Sequence, residues 1–304
     1  MLTKEGDRGL ADSTALSRLV LQRGALELIL LPDLGGSVGG LTYKAQDILR
    51  PLTRTADESP LQTAGFPLFP FSGRISEGHF AWQGRDISLA PNFLPEPHAI
   101  HGQAWHAAWQ VAEHGSDHAR LVFDYCPGDW PWAYRAEQEF KLRDDGLHLM
   151  LRLTNKADET MPAGLGWHPY FPRLDARVKV PVDRVWMSDE GMIPDRLDVP
   201  AASADLSDWR VVAELDLDNA FTVSDRTSRV EWPSRNLCVE MVSDAELGHM
   251  VIYTPKQQDF FCVEPVSHAP DAVNSQHPAE LTGLHSLAPG ETLSAQISLT
   301  IRET

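Results

Sequence analysis

The sequence predicts an all-β fold, a sandwich or barrel, and three observations carry that prediction. Apolar residues recur with a period of two rather than 3.6. Turn residues interrupt the chain roughly every ten residues. The 22 prolines leave little room for long helices.

The elements follow in chain order. Residues 17–32, SRLVLQRGALELILLP, read as a hairpin turning at Arg23-Gly24. HFAWQGRDISL (79–89) is a second, turning at Gln83-Gly84, and WQVAEHGSDHARLVFDY (109–125) a third, turning at Gly115-Ser116-Asp117. YRAEQEFKL (134–142) runs through RDDG into GLHLMLRLTN (146–155), where Leu147, Leu149, Leu151 and Leu153 share one face. The clearest alternation is C-terminal: Leu293, Ala295, Ile297, Leu299 and Ile301 against Thr292, Ser294, Gln296, Ser298 and Thr300. Only PAASADLSDW (200–209) suggests a helical turn or two. No low-complexity linker divides the chain, so residues 1–304 are expected to form one domain, with 1–17 a loosely attached N-terminal segment.

Composition narrows the partners. With 43 acidic against 26 basic residues, the net charge of −17 repels phosphate backbones and anionic headgroups. Nucleic acid and membrane are therefore not expected partners. The N-terminus lacks a charged region followed by an apolar core, and no apolar run is long enough for a membrane helix. Cys126, Cys238 and Cys262 are odd in number and widely spaced. They are expected to be buried free thiols in a reducing, cytoplasmic setting.

Four segments set polar groups among aromatics, glycines and prolines, where a plain connector would be simply polar: 66–78, 95–105, 163–171 and 259–274. His98, His101 and His106 have spacings a metal could use, but residues three apart on a strand face opposite ways, and no metal is expected. The G-x-S-x-G spacing occurs once, in GGSVG (35–39), within a glycine-rich stretch read as turns and bulges. The glycine-rich DLGGSVGGL lacks the Lys-Ser/Thr of a phosphate loop. Proton transfer remains. Glu264 ends the apolar run FFCVE, where partial desolvation raises a carboxyl pKa toward that of a general base. His168, between Trp167 and Pro169, is the natural acid counterpart. His79, His106, His114, His118 and His249 are expected at the surface, and Asp271 and Asn274 to shape the turn after Glu264.

In this order, FSGRISEGHFAWQGRDISL, HAIHGQAW, DWPWAY, GLGWHPYF, LDNAF and VEPVSHAPDAVN make the chain recognisable over residues 18–301. It resembles the aldose 1-epimerase (galactose mutarotase) family, and within it a less characterised bacterial branch. The resemblance implies a large antiparallel β-sandwich, a galactose mutarotase-like supersandwich, with no cofactor and no required metal. It implies an isomerase interconverting the α and β anomers of a free aldose. Glu264 matches the catalytic base at the C1 hydroxyl and His168 the acid at the ring oxygen. His101 matches the second active-site histidine, Arg74 a substrate-binding arginine, and Asp218 the carboxylate that holds sugar hydroxyls.

His98 and Trp167 are added as substrate contacts, and Phe66 and Trp105 as apolar platforms for sugar faces. Acid and base are expected to face each other across one pyranose. Gly73 stands where many members carry asparagine, and Gln103 where galactose-specific members carry glycine. The alternatives are a hexose-6-phosphate mutarotase, a non-catalytic sugar-binding or regulatory protein of the same fold, and a metal-dependent sandwich enzyme. The expected partner is a small-molecule sugar, and the expected state a monomer or homodimer.

Overall fold

The computed structural model describes residues 17–52 and 59–304. Residues 1–16 of the expected N-terminal segment lie outside the described residues. The hairpins read from the sequence all form: Leu19–Arg23 with Leu26–Leu31, His79–Trp82 with Arg85–Ser88, and Gln110–His114 with His118–Tyr125. Tyr134–Arg143 pairs with Gly146–Asn155, and that strand with Thr292–Glu303.

Apart from the His79–Trp82/Arg85–Ser88 hairpin, which is a two-stranded sheet of its own, these strands belong to two large sheets of eleven and nine strands, and every strand pairing within those two is antiparallel. In the nine-stranded sheet, Leu149, Leu151, Leu153, Ala295 and Ile297 are buried, as their alternation requires. They share one core cluster with Leu28, Phe171, Phe261 and Val263 of the eleven-stranded sheet, so the inner faces of the two sheets pack together. The protein is a large antiparallel β-sandwich.

Two expectations need correction. Residues 200–209 hold turns but no helix: the Ala201 carbonyl accepts from both Ala204 and Asp205, and then the Asp205 carboxylate takes the Ser207 N–H and hydroxyl. That side-chain bonding competes with helix continuation. Among the described residues the one α-helix is the four-residue Ala279–Thr282, closed by Gly283 at φ 74°. Of the three thiols only Cys262 is buried, Cys126 being exposed and Cys238 intermediate. Among the described residues no helix is long and apolar enough to cross a membrane.

At the middle of the eleven-stranded sheet, Gly65–Leu68, Gly166–Pro172, Phe260–Val266, His249–Tyr253 and Asp218–Thr222 are neighbours in that order. Both faces of these strands are covered. Trp167, Phe171, Phe261 and Val263 belong to the core between the sheets. Phe66, Tyr170, Cys262 and Val266 form a separate cluster on the opposite face. The site lies on that outer face.

Candidate active site

The period of two places the first pair. On Gly166–Pro172 the outward residues include His168 and Tyr170; on Phe260–Val266 they are Phe260, Cys262 and Glu264. Gly166 pairs with Val266 and Tyr170 with Cys262, which sets His168 beside Glu264. Their side chains meet, His168 Nε2 lying 3.3 Å from Glu264 Oε1. Acid and base candidates thus sit side by side on adjacent strands rather than facing each other across a sugar. Neighbouring strands are close enough for direct contact.

Both side chains are more than nine-tenths buried, yet both line a cleft of about 740 Å³. Burial pushes the Glu264 carboxyl well above its ordinary range, the nearby Asp218 carboxylate adds to the rise, and Arg74 opposes it. Burial likewise lowers His168 to about 3, helped by the Arg50 guanidinium. The imidazole packs on Phe66, with ring centroids 4.6 Å apart, and on Tyr170, at 4.7 Å.

His101 arrives by a different device. It follows the short strand Ala99–Ile100, which pairs with Arg74–Ile75, and adopts φ 59°. Gly102 follows at φ 73°, where a Cβ would stand 1.9 Å from the Phe69 carbonyl oxygen, so only glycine fits. Asn92 clamps this turn, donating from Nδ2 to the Ile100 and Gly102 carbonyls and accepting the Ile100 N–H. The Gly73 N–H donates to His101 Nδ1 at 3.1 Å, and the Gly73 carbonyl accepts the His101 N–H at 2.9 Å. Burial lowers the His101 pKa well below its usual value, as do the neighbouring His168 and Arg74. A neutral imidazole whose Nδ1 accepts a hydrogen bond must carry its proton on Nε2. His101 is therefore a hydrogen-bond donor on the cleft wall.

Arg74 and Asp218 complete the polar lining. Arg74 Nε donates to Glu96 Oε1 at 3.2 Å, and Nη2 to Oε2 at 3.5 Å. Asp218 is raised by burial, with Arg74 opposing and Glu96 adding to the rise. The cleft gathers five of the seven residues expected at the site: Glu264, His168, His101, Arg74 and Asp218.

The other two do not reach it. Trp167 is fully buried on the inner face, where its one-residue offset from His168 sends it, and so it is a core residue. His98 is buried behind Arg74: its Nδ1 accepts the Glu77 N–H at 2.9 Å, and its Nε2 stands 3.8 Å from Glu96 Oε1. Phe66 is fully buried beneath His168, whereas Trp105 lines the cleft and stacks on Phe66 at 5.2 Å.

The three histidines His98, His101 and His106 are held separately. Each has a ring nitrogen engaged by a different backbone group, the last at the Asn92 carbonyl. His249, expected at the surface, is buried. Asp271 does hold its turn, accepting the Ser76 N–H and the Asn274 amide through Oδ1.

Sequence reasoning missed Arg50, Tyr170, Tyr253 and Asn219 on the cleft wall. Arg50 donates to the Leu61 and Thr63 carbonyls and lies over the rings of Tyr170 and Phe260, 3.9 and 4.5 Å from their centroids. Nothing local marks it, since its partners come from three other segments.

A family model for aldose 1-epimerases matches residues 17–300. The chain belongs to the aldose 1-epimerase family. It is 31% identical over 297 residues to the uncharacterised protein YphB of Escherichia coli K12, covering 92% of this chain and 97% of that one. Among solved structures, a candidate aldose 1-epimerase from Escherichia coli K12 superposes with a TM-score of 0.86 at 30% identity, covering 95% of this chain and all of the other. A galactose mutarotase-like protein from Clostridium acetobutylicum gives 0.88 at 22% identity, over 95% and 96% of the two chains, a likeness of fold.

Proposed function

We propose that the protein is a mutarotase, interconverting the α and β anomers of a free aldose by opening and closing its hemiacetal ring. The observation that carries this reading is the 3.3 Å contact between Glu264 and His168 on the wall of the cleft. The hydroxyl that loses a proton and the ring oxygen that gains one are both bonded to C1. Groups that serve them must themselves be neighbours.

The pair carries one proton in each state. Burial favours the neutral form, with that proton on the Glu264 carboxyl. Passing it to His168 Nε2 creates the active couple of carboxylate and imidazolium. Glu264 then takes the C1 hydroxyl proton and the C1–O bond to the ring oxygen breaks. His168 returns a proton to that oxygen while His101 Nε2–H donates a hydrogen bond beside it. The aldehyde rotates about C1–C2, and the reverse transfers close the ring on the other face. No net charge enters or leaves the buried site, and acid–base action of this kind contributes about 10²–10⁴-fold.

Arg74 and Asp218 are positioned to hold the remaining hydroxyls. The charged lining sets Asp218 and Asp259 against Arg50 and Arg74, and Arg74 is already paired with Glu96. That balance favours a free sugar over a phosphorylated one.

The test is polarimetry or NMR of freshly dissolved α-anomers of glucose, galactose, arabinose and xylose, with glucose 6-phosphate alongside. The wild-type protein should speed equilibration of at least one free sugar. Glu264→Gln should slow the catalysed rate about 10²-fold or more, and His168→Asn by a similar factor. Glu264→Gln turning over as fast as wild type would remove the assigned base. Acceleration confined to glucose 6-phosphate would replace the free-sugar reading.

A further inference from the structure

The outer face of the strand Phe260–Val266 presents a third polar atom that the proton-transfer scheme does not use. Cys262 lies two residues before Glu264 and is fully buried. It faces the same cluster as Phe66 and Tyr170. One imidazole nitrogen of His168, Cys262 Sγ and one carboxylate oxygen of Glu264 all lie within 4.8 Å of one another. Among the described residues this is the set of three such side chains so gathered.

We propose that His168, Cys262 and Glu264 form a zinc site in the cleft wall, and that zinc bound there shuts the catalytic pair down. The inhibition rests on the mutarotase reading; the binding does not.

The donor set suits the ion. A thiolate, an imidazole and a carboxylate together select zinc over magnesium or calcium, which prefer all-oxygen shells. Donors on one tetrahedral zinc stand about 3.3–3.8 Å apart. His168 Nε2 and Glu264 Oε1 are already at 3.3 Å. Bringing the sulfur in asks for roughly 1 Å of side-chain movement to reach that spacing. The sulfur stays on the protein side, while His168 and Glu264 line the cleft, so a fourth position is left for water or a sugar hydroxyl. The Asp218 side chain lines the same cleft as Glu264 and His168, and a carboxylate there favours a cation.

Binding releases the thiol proton and the proton held by the Glu264–His168 pair, with no change in oxidation state. An ion there occupies the carboxylate oxygen and the imidazole nitrogen that must exchange protons with the sugar. Site occupation and turnover are therefore mutually exclusive.

Cobalt(II) reports such a site directly, because thiolate coordination adds a ligand-to-metal charge-transfer absorption. Titrating the chelator-treated full-length protein with cobalt should develop that band to one equivalent. Zinc should bleach it. The band should vanish in Cys262→Ser and persist in the Cys126→Ser/Cys238→Ser double variant. Cys262→Ala serves if serine destabilises the core. In the anomer assay, zinc should inhibit wild type, and Cys262→Ser should need at least ~10-fold more zinc for the same inhibition. Absence of the band in wild type, or its persistence in Cys262→Ser and Cys262→Ala, overturns the site. A Cys262-dependent band in a protein that accelerates no sugar upholds the metal site and removes the mutarotase reading.

Discussion

Replacing Glu264 by glutamine should stabilise the protein at neutral pH while disabling it. The residue is 2% exposed, and His168 Nε2 stands 3.3 Å from its Oε1. Asp218 adds repulsion, and Arg74 compensates in part. Glutamine keeps the shape and removes the titration. The folded-state pKa lies above the model-peptide value of 4.5, so below pH 4.5 the group is neutral in both folded and unfolded chains. The two proteins should then be nearly equal in stability.

As pH rises beyond 4.5, the unfolded chain ionises freely and the folded one resists. Wild type loses about 1.4 kcal/mol of relative stability for each pH unit across that window, levelling off above the folded pKa. With the folded carboxyl still neutral at pH 7.5, three pH units of that loss set the expected gain for Glu264→Gln at up to about 4 kcal/mol. Urea denaturation of both proteins at pH 4.5 and 7.5, comparing midpoints at equal slopes, measures it. The opposite sign is equally informative. If Glu264 and His168 rested as a buried ion pair, removing one partner would destabilise by about 3–5 kcal/mol. A variant less stable than wild type at pH 7.5, or a gap that does not widen with pH, refutes the assignment of a neutral resting pair.

Two further outcomes separate positioning residues from bystanders. Glu96 holds Arg74 through two contacts but does not line the cleft, so Glu96→Gln should raise KM about 5- to 50-fold with a smaller change in kcat, the mark of lost ground-state and transition-state binding alike. Glu96→Asp should restore part of it. Trp167→Phe should cost about 1–3 kcal/mol in a denaturation curve, because the residue is fully buried on the inner face, and should leave KM within about twofold; a large KM change would return Trp167 to the cleft.

Strands with one wet face were readable along the chain. Thr292–Glu303 alternates so regularly that the strand and its buried face follow from sequence. The central strands were harder because both of their faces are buried. GWHPYF and FFCVEPV contain no polar stripe to say which residues point inward, so Trp167 and His168 were both drawn to the site although their side chains leave the strand in opposite directions. The turn at His101-Gly102 was not read from the sequence; the approach of Gly102 to the Phe69 carbonyl, which only glycine allows, comes from a segment about thirty residues away. That His98 would lie behind Arg74 rather than beside His101 was not legible, since its place depends on the Glu77 N–H and on Glu96.

The sequence by itself determined the all-β class, the hairpins and the inventory of acid–base groups, because each depends on periodicity, turn chemistry or residue type over a few neighbouring positions. Only the tertiary structure decided that Glu264 touches His168, that His101 carries its proton on Nε2, and that Cys262 lies within reach of both. Those facts depend on strand register and on backbone groups from distant segments. Register is fixed when whole faces are buried together, and no local stretch of chain contains that information.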